Sequence, residues 1–458
     1  MSGFDYDVFI IGGGGSGGFT AATTALASGA RVGMAEAGRL GGLCILAGCM
    51  PSKTLLHHAQ QLRGQGAVAR SAQPRILAHK RQVVELLAGR RDEAVAAKAA
   101  KGLALLPGRA SFIDPHTLQV GEKQVSAANI VIATGSREAA PPIPGLAEAG
   151  FLVAEDFMDL AELPESLIVL GGGAIALELA QYAARMGVAT TLVQRSGQVL
   201  SSEDAAVGQA LQKALEADGA TVLTNTDITR VEAGAQGKTV RLTQHGRERS
   251  LHASALLVAM GRRPNLEGLN LDAAGVAVQR GAVAVDEYMR TSQPHIYAAG
   301  DVTGGWMVVN LAVIQGEAAG HNATHVEPRA VDTRVMARAV FTDPQFARVG
   351  LNHGEAHHAG IGFAEASQDL ASLGTAQTYP EPLMGFMTMR ADRKTGRIVG
   401  AELVAPNAAD MIHDVAVAMQ LGGRPADIAA VPYIHPCLAE ITNYCAHDLA
   451  KELRRGAR

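Results

Sequence analysis

The chain has 458 residues, 48% of them hydrophobic and 18% charged, which is ordinary globular material for two to four domains. A net charge of −4, from 40 basic and 44 acidic residues, excludes a strong field for nucleic acid or acidic membrane. Four cysteines do not make a disulfide scaffold, no apolar stretch approaches a spanning helix of about 20 residues, and Met1 to Asp5 lacks the marks of a secretory signal, so a cytoplasmic enzyme without membrane insertion is expected.

Asp5 to Ile11 reads as a short apolar strand. A glycine run follows, then a small-residue helix through Ala27 and a strand from Ala30 to Glu36. Gly12, Gly14 and Gly17 fit G-x-G-x-x-G, the opening of a dinucleotide-binding βαβ unit. The first glycine permits the turn, the second lets backbone approach a pyrophosphate, and the third permits close helix–strand packing. Glu36 closes the second strand and can accept hydrogen bonds from ribose hydroxyls. Next come Cys44 and Cys49, with four residues between them, in Gly41-Gly42-Leu43-Cys44-Ile45-Leu46-Ala47-Gly48-Cys49-Met50-Pro51-Ser52-Lys53. Two cysteines so spaced at a helix start can form a disulfide, and a helix N-terminus favours a thiolate.

Arg81 to Lys101 reads as a long charged helix. Asn129 to Ile132 reads as a buried strand running into Ala133-Thr134-Gly135, and Pro141, Pro142 and Pro144 mark a boundary. The nucleotide-binding grammar recurs about 160 residues after the first: strand Leu167 to Leu170, Gly171-Gly172-Gly173-Ala174-Ile175-Ala176, helix to Met186, strand Ala189 to Val193. Gly171, Gly173 and Ala176 fit G-x-G-x-x-A. No acid closes this second unit, which reads Gln194-Arg195; Arg195 can pair with a 2′-phosphate, so NADPH is slightly favoured over NADH. Ala255 to Gly261 repeats the strand-and-turn phrase, and a strand from His295 to Ala299 meets Gly300-Asp301. From about residue 336 the texture becomes α+β. Strands are expected at Gly360 to Phe363, Phe386 to Met389 and Arg397 to Leu403, and helices at Ala408 to Gln420 and Ala439 to Arg454.

Together these phrases resemble the disulfide-containing flavoprotein reductases, a family that includes dihydrolipoamide dehydrogenase, glutathione reductase and mercuric reductase. The likeness runs nearly the full length, through Gly261-Arg262-Arg263-Pro264-Asn265, Tyr297-Ala298-Ala299-Gly300-Asp301 and His435-Pro436-Cys437-Leu438-Ala439-Glu440. It implies an α/β fold: two Rossmann-like domains, for FAD (1–148 with 268–335) and NAD(P) (149–267), plus a C-terminal α+β dimerisation domain (336–458). It also implies roles. Gly12, Gly14, Gly17, Glu36, Gly135 and Asp301 would hold FAD, while Gly171, Gly173, Ala176, Arg195 and Gly261 belong to the nucleotide sites. Lys53 would lie beside the flavin and pair with Glu178. Cys49 would be the thiolate facing the flavin and Cys44 the sulfur exchanging with substrate. His435, held by Glu440, would be the acid/base serving the other subunit of a homodimer.

The implied substrate is a small or lipoyl-type dithiol or disulfide. Alternatives are NADPH-dependent reduction of another small disulfide or of mercuric ion, a redox-sensing flavoprotein acting through a partner, and a general diaphorase. Two departures stand against a plain lipoamide enzyme: Leu43 replaces the usual threonine, and Gln194 the usual acid. The chain closes on Arg454 to Arg458 without the terminal cysteine pair of mercuric reductases. Gly18-Phe19 offers no cation on the first helix for a glutathione carboxylate. Cys437 and Cys445 are unusual, Cys437 reading first as an apolar filler, and no metal ligands are identified.

Overall fold

The computed structural model describes residues 3–234 and 237–456; Met1, Ser2, Ala457 and Arg458, on which the readings of the two ends partly lean, lie outside it. The chain divides into two compact units, 1–54 with 75–140 and 261–333, and 55–74 with 141–260 and 334–458.

The first unit is built on β1 (Tyr6–Ile11), which pairs in parallel with β2 (Val32–Glu36) and with the strand Lys123–Ile132. Ala104–Pro107 extends the parallel sheet beyond β2, and Ile296–Ala298 pairs with Lys123–Ile132. Val8, Phe9, Ile10 and Ile11 are all almost fully buried, as a strand covered on both faces requires. Between β1 and β2 runs α1 (Ser16–Ala27). α1 lies against the helix Val309–Asn322 at glycine contacts: a Cβ on Gly316 would sit 2.3 Å from the Gly17 carbonyl oxygen, and one on Gly320 would sit 2.4 Å from that of Ala21. The long helix Gln73–Ala99 belongs almost wholly to this unit.

The second unit repeats the device in a four-stranded parallel sheet, ordered Thr221–Leu223, Ala189–Val193, Ser166–Leu170, Ala255–Val258. Beside it in sequence is an antiparallel three-stranded sheet, Thr226–Gly234, Gly237–Gln244 and Arg247–Ala253, that the sequence reading did not anticipate. The C-terminal region is a five-stranded antiparallel sheet whose central strand Ile398–Ala405 is almost wholly buried. The helix Glu440–Gly456 shares its core through Ile441, Cys445, Ala446 and Leu449.

Two local expectations are corrected. The strand expected at Gly360 to Phe363 begins only at Phe363, because Gly360, at φ +70°, closes the preceding helix His353–His358. The helix expected over Ala408 to Gln420 is two, Ala408–Met411 and His413–Gln420. No described helix is long and apolar enough to cross a membrane.

Candidate active site

The first glycine turn is made of backbone that tolerates no side chain. Gly12 has φ +86°, and a Cβ there would lie 2.6 Å from the Ala133 carbonyl oxygen, where Lys123–Ile132 ends. A Cβ on Gly14 would lie 2.6 Å from Glu36 Oε2; the Gly14 N–H instead donates to that oxygen at 2.8 Å. Gly38 N–H donates to Glu36 Oε1 at 3.0 Å. A carboxylate has about four lone-pair sites, so Glu36 retains acceptor capacity for a ribose diol. A Cβ on Gly17 would be 3.2 Å from the Ala312 carbonyl oxygen and 3.6 Å from that of Ala299, just past the strand Ile296–Ala298, while one on Gly18 would be 2.2 Å from the Gly12 carbonyl oxygen. α1 has no acidic residue in its first turn, so its N-terminal N–H groups and dipole suit a pyrophosphate. FAD fits this cradle.

The cysteine segment is docked on the same turn. Gly41 N–H donates to the Gly14 carbonyl at 3.1 Å. Gly42, at φ +64°, lies so close to Gly15 that its Cβ would be 2.6 Å from the Gly15 Cα. These contacts fix α2 (Gly42–Leu46), which carries Cys44, and lead into α3 (Cys49–Gln61), which begins at Cys49. Pro51 is in the first turn of α3, where its missing N–H costs nothing. Gly42→Ala is therefore expected to cost about 1–3 kcal/mol. The thermal midpoint should fall, while Gly38→Ala, whose new Cβ would come no nearer than 3.9 Å to Glu36 Oε1, should barely move it.

Cys44 and Cys49 are each half-buried. The Cys44 thiol is pushed strongly up, chiefly by its hydrogen bond with Cys49, then by burial and by negative charge on Cys49; Lys53 acts in the opposite sense. Cys49 opens a 13-residue helix, a position that favours negative charge on a sulfur. Lys53 Nζ also lies 3.3 Å from Ser52 Oγ.

Two further sequence phrases meet in this unit. Ser136–Glu138 pairs antiparallel with Arg262–Pro264. Thr134 Oγ1 donates to the Asn265 carbonyl at 2.7 Å, and Asn265 N–H donates to the Gly135 carbonyl at 2.9 Å. Ser136 Oγ donates to Asp301 Oδ2 at 2.6 Å and accepts from Arg262 Nε at 2.9 Å, while Arg262 is also paired with Glu138. Gly135 and Gly261 have φ +71° and +113°, and the Gly261 carbonyl accepts from Ala139 N–H.

In the second unit, Gly171 copies Gly12: φ is +121° and a Cβ would be 2.3 Å from the Ala259 carbonyl oxygen. Gly173 precedes the helix Ala174–Arg185, whose Ala176 is fully buried. The pairing register identifies the residue equivalent to Glu36. Ile11 pairs with Ala35 and Leu170 with Val193, so Gln194 stands where Glu36 does. A neutral amide there does not repel a 2′-phosphate, and the neighbouring Arg195 is exposed. Glu178 is buried on the same helix and accepts from Phe341 N–H at 2.9 Å.

The C-terminal motif forms a compact relay. His435 Nδ1 is 3.0 Å from Glu440 Oε1, and Cys437 N–H donates to Glu440 Oε2 at 3.1 Å. Tyr444 OH donates to Glu440 Oε1 at 3.3 Å. His435 and the Cys437 amide hold the Glu440 carboxyl below its usual range. Glu440 is buried, whereas the His435 side chain is 74% exposed. Cys437 thus contributes backbone to this relay. Cys445 is apolar filler, buried with its Sγ 3.3 Å from the Ala366 carbonyl oxygen, and burial pushes its thiol up to about 12. No cluster of three or more His, Cys, Asp or Glu able to hold a metal occurs among the described residues.

Residues 6–316 match the family model for pyridine nucleotide-disulphide oxidoreductases, and residues 336–445 match the dimerisation domain of the same family. A mercuric reductase of Acidithiobacillus ferrooxidans is 37% identical, over 99% of this chain and 84% of the relative. A dihydrolipoyl dehydrogenase of Geobacillus stearothermophilus is 32% identical, over 94% of each. Among solved structures, the Cu(II) complex of the HOCl-induced flavoprotein disulfide reductase RclA from Escherichia coli superposes with a TM-score of 0.87 at 29% identity, covering 97% of this chain and 99% of that one.

Proposed function

Since the chain belongs to the pyridine nucleotide-disulphide oxidoreductase family, and is an FAD-dependent oxidoreductase using NAD(P)(H) and a redox-active cysteine pair, we propose that its substrate is a small dithiol or disulfide exchanged at Cys44, with NADPH the preferred nucleotide. The observation that carries this reading is the hydrogen-bonded pair Cys44 and Cys49 on a segment seated against the glycine turn.

FAD, when bound, passes two electrons between the nicotinamide and the cysteine pair. Gly12, Gly14, Gly17, Glu36, Gly135 and Asp301 would hold it, with Lys53 beside it. Gly171, Gly173, Ala176 and Arg195 would hold the nicotinamide nucleotide. Cys49 carries the thiolate. Cys44 retains its proton until a base removes it, then attacks a substrate sulfur; the departing sulfur takes up a proton in turn. His435 of a second copy of the chain is that base, with Glu440 fixing its tautomer. Its exposure and the dimerisation-domain match support an inter-subunit role.

A matrix of NADH and NADPH against lipoamide, glutathione disulfide and mercuric ion tests the substrate class. A disulfide or dithiol turned over through Cys44 is expected. Turnover of mercuric ion alone would replace this reading with the second one, favoured by the relatives named mercuric reductase. Arg195→Glu should lower the NADPH-to-NADH ratio of kcat/KM by roughly tenfold or more, the size of a lost charge-assisted contact. An unchanged ratio would remove Arg195 from the 2′-phosphate site.

A further inference from the structure

The helix Gln73–Ala99 carries a charge on its buried face. Ala88 and Val95 are almost fully buried, and between them on the same stripe lies Arg91, where the helical repeat calls for an apolar residue. Its guanidinium carbon lies 4.3 Å from the centre of the Phe19 ring, on α1. Its Nη1 is buried and has no hydrogen-bond partner among the described residues. Burial opposes the charge on Arg91, and the segment that carries Cys44 is seated on Gly15, whose carbonyl accepts from the Phe19 N–H one turn along α1. A half-buried guanidinium stays protonated, and an unsatisfied buried N–H of a charged group is costly. Acids on the same helix do not relieve it. Glu85 is engaged by Arg39, while Asp92 and Glu93 point outward as exposed residues. A local rule broken at this cost marks a functional position.

We propose that Arg91, backed by the Phe19 ring, is an anion subsite beside Cys44, and that it takes a carboxylate carried by the thiol or disulfide substrate. This rests on Cys44 being the exchanging sulfur. The first helix offers no cation for a substrate carboxylate; the helix Gln73–Ala99 supplies one, against the ring of that first helix. The planar guanidinium suits a carboxylate better than an ammonium would.

The test uses the holoenzyme reduced with NADPH, alkylated by iodoacetate, which is anionic, and by iodoacetamide, its neutral counterpart. The Cys44 thiolate displaces iodide from either reagent to give a thioether, and mass spectrometry locates and times the product. Any effect of Arg91 on the acidity of Cys44 cancels in the ratio of the two rates. Arg91→Met should lower the iodoacetate-to-iodoacetamide ratio by roughly tenfold, and Arg91→Lys should restore part of it. An equal ratio in wild type and Arg91→Met would overturn the subsite while leaving the role of Cys44 standing. A variant that sheds its flavin would assign Arg91 to the cofactor and overturn the subsite too. Absence of alkylation at Cys44 in the wild type would bring down the exchange role itself, and the subsite with it.

Discussion

Turnover of a disulfide substrate should fall by more than about a thousandfold in Cys44→Ser and in Cys49→Ser alike. The two sulfurs act as one unit, since thiol–disulfide exchange needs an attacking thiolate and a second sulfur to resolve the mixed disulfide. A serine hydroxyl can do neither near neutral pH. The failures should differ in kind. In Cys44→Ser the sulfur that meets substrate is gone, so no covalent adduct forms. In Cys49→Ser, Cys44 remains and loses the partner that holds its thiol up, so a mixed disulfide forms and is not resolved. Rapid quench followed by mass spectrometry distinguishes them. Full substrate turnover in Cys44→Ser would favour a diaphorase that bypasses the pair.

His435→Gln should lower the same turnover by about 10²–10⁴-fold, the usual contribution of a placed acid/base. The reason lies in the cysteine pair as much as in the histidine. The Cys44 proton is retained against Cys49 and under burial, so attack on substrate requires a base to draw it off. Glu440 keeps its charge because His435 and the Cys437 amide hold its carboxyl low. A buried carboxylate at Nδ1 fixes the ring tautomer and leaves Nε2 to work. Glu440→Gln should therefore be impaired less than His435→Gln. Stopped-flow separates the steps: reduction of the pair by NADPH should proceed in His435→Gln while exchange with substrate is slow. Equal slowing of both steps would point to a structural role.

Much of the framework was legible because its signals are local. Strand, glycine turn and helix follow one another within about 25 residues in each nucleotide unit, and the cysteine segment is a continuous phrase. What was not legible depended on distant backbone. Gly18 and Gly42 look like any other glycine until Gly12 and Gly15 are brought against them. The three-stranded sheet has one local signal. His245 and Gly246, both at positive φ, form the tight turn between Gln244 and Arg247, as two-residue hairpins demand. Buried Val231, Val240 and Leu242 were hidden among charged neighbours. Gly360 is ambiguous in sequence because short apolar runs flanked by glycine fit a turn as well as a strand. Arg91 is illegible in sequence because one more charge on a charged helix carries no sign of which way it faces.

The separate duties of the two sulfurs are the centre of the account, and absorbance tests them most directly. Wild-type, Cys44→Ser and Cys49→Ser proteins are loaded with FAD and followed at long wavelength during anaerobic addition of NADPH. A thiolate–flavin charge-transfer band should develop in the wild type on reduction, be present in Cys44→Ser, and be missing from Cys49→Ser. Persistence of the band in Cys49→Ser would contradict the assignment of Cys49 as the sulfur that faces the flavin.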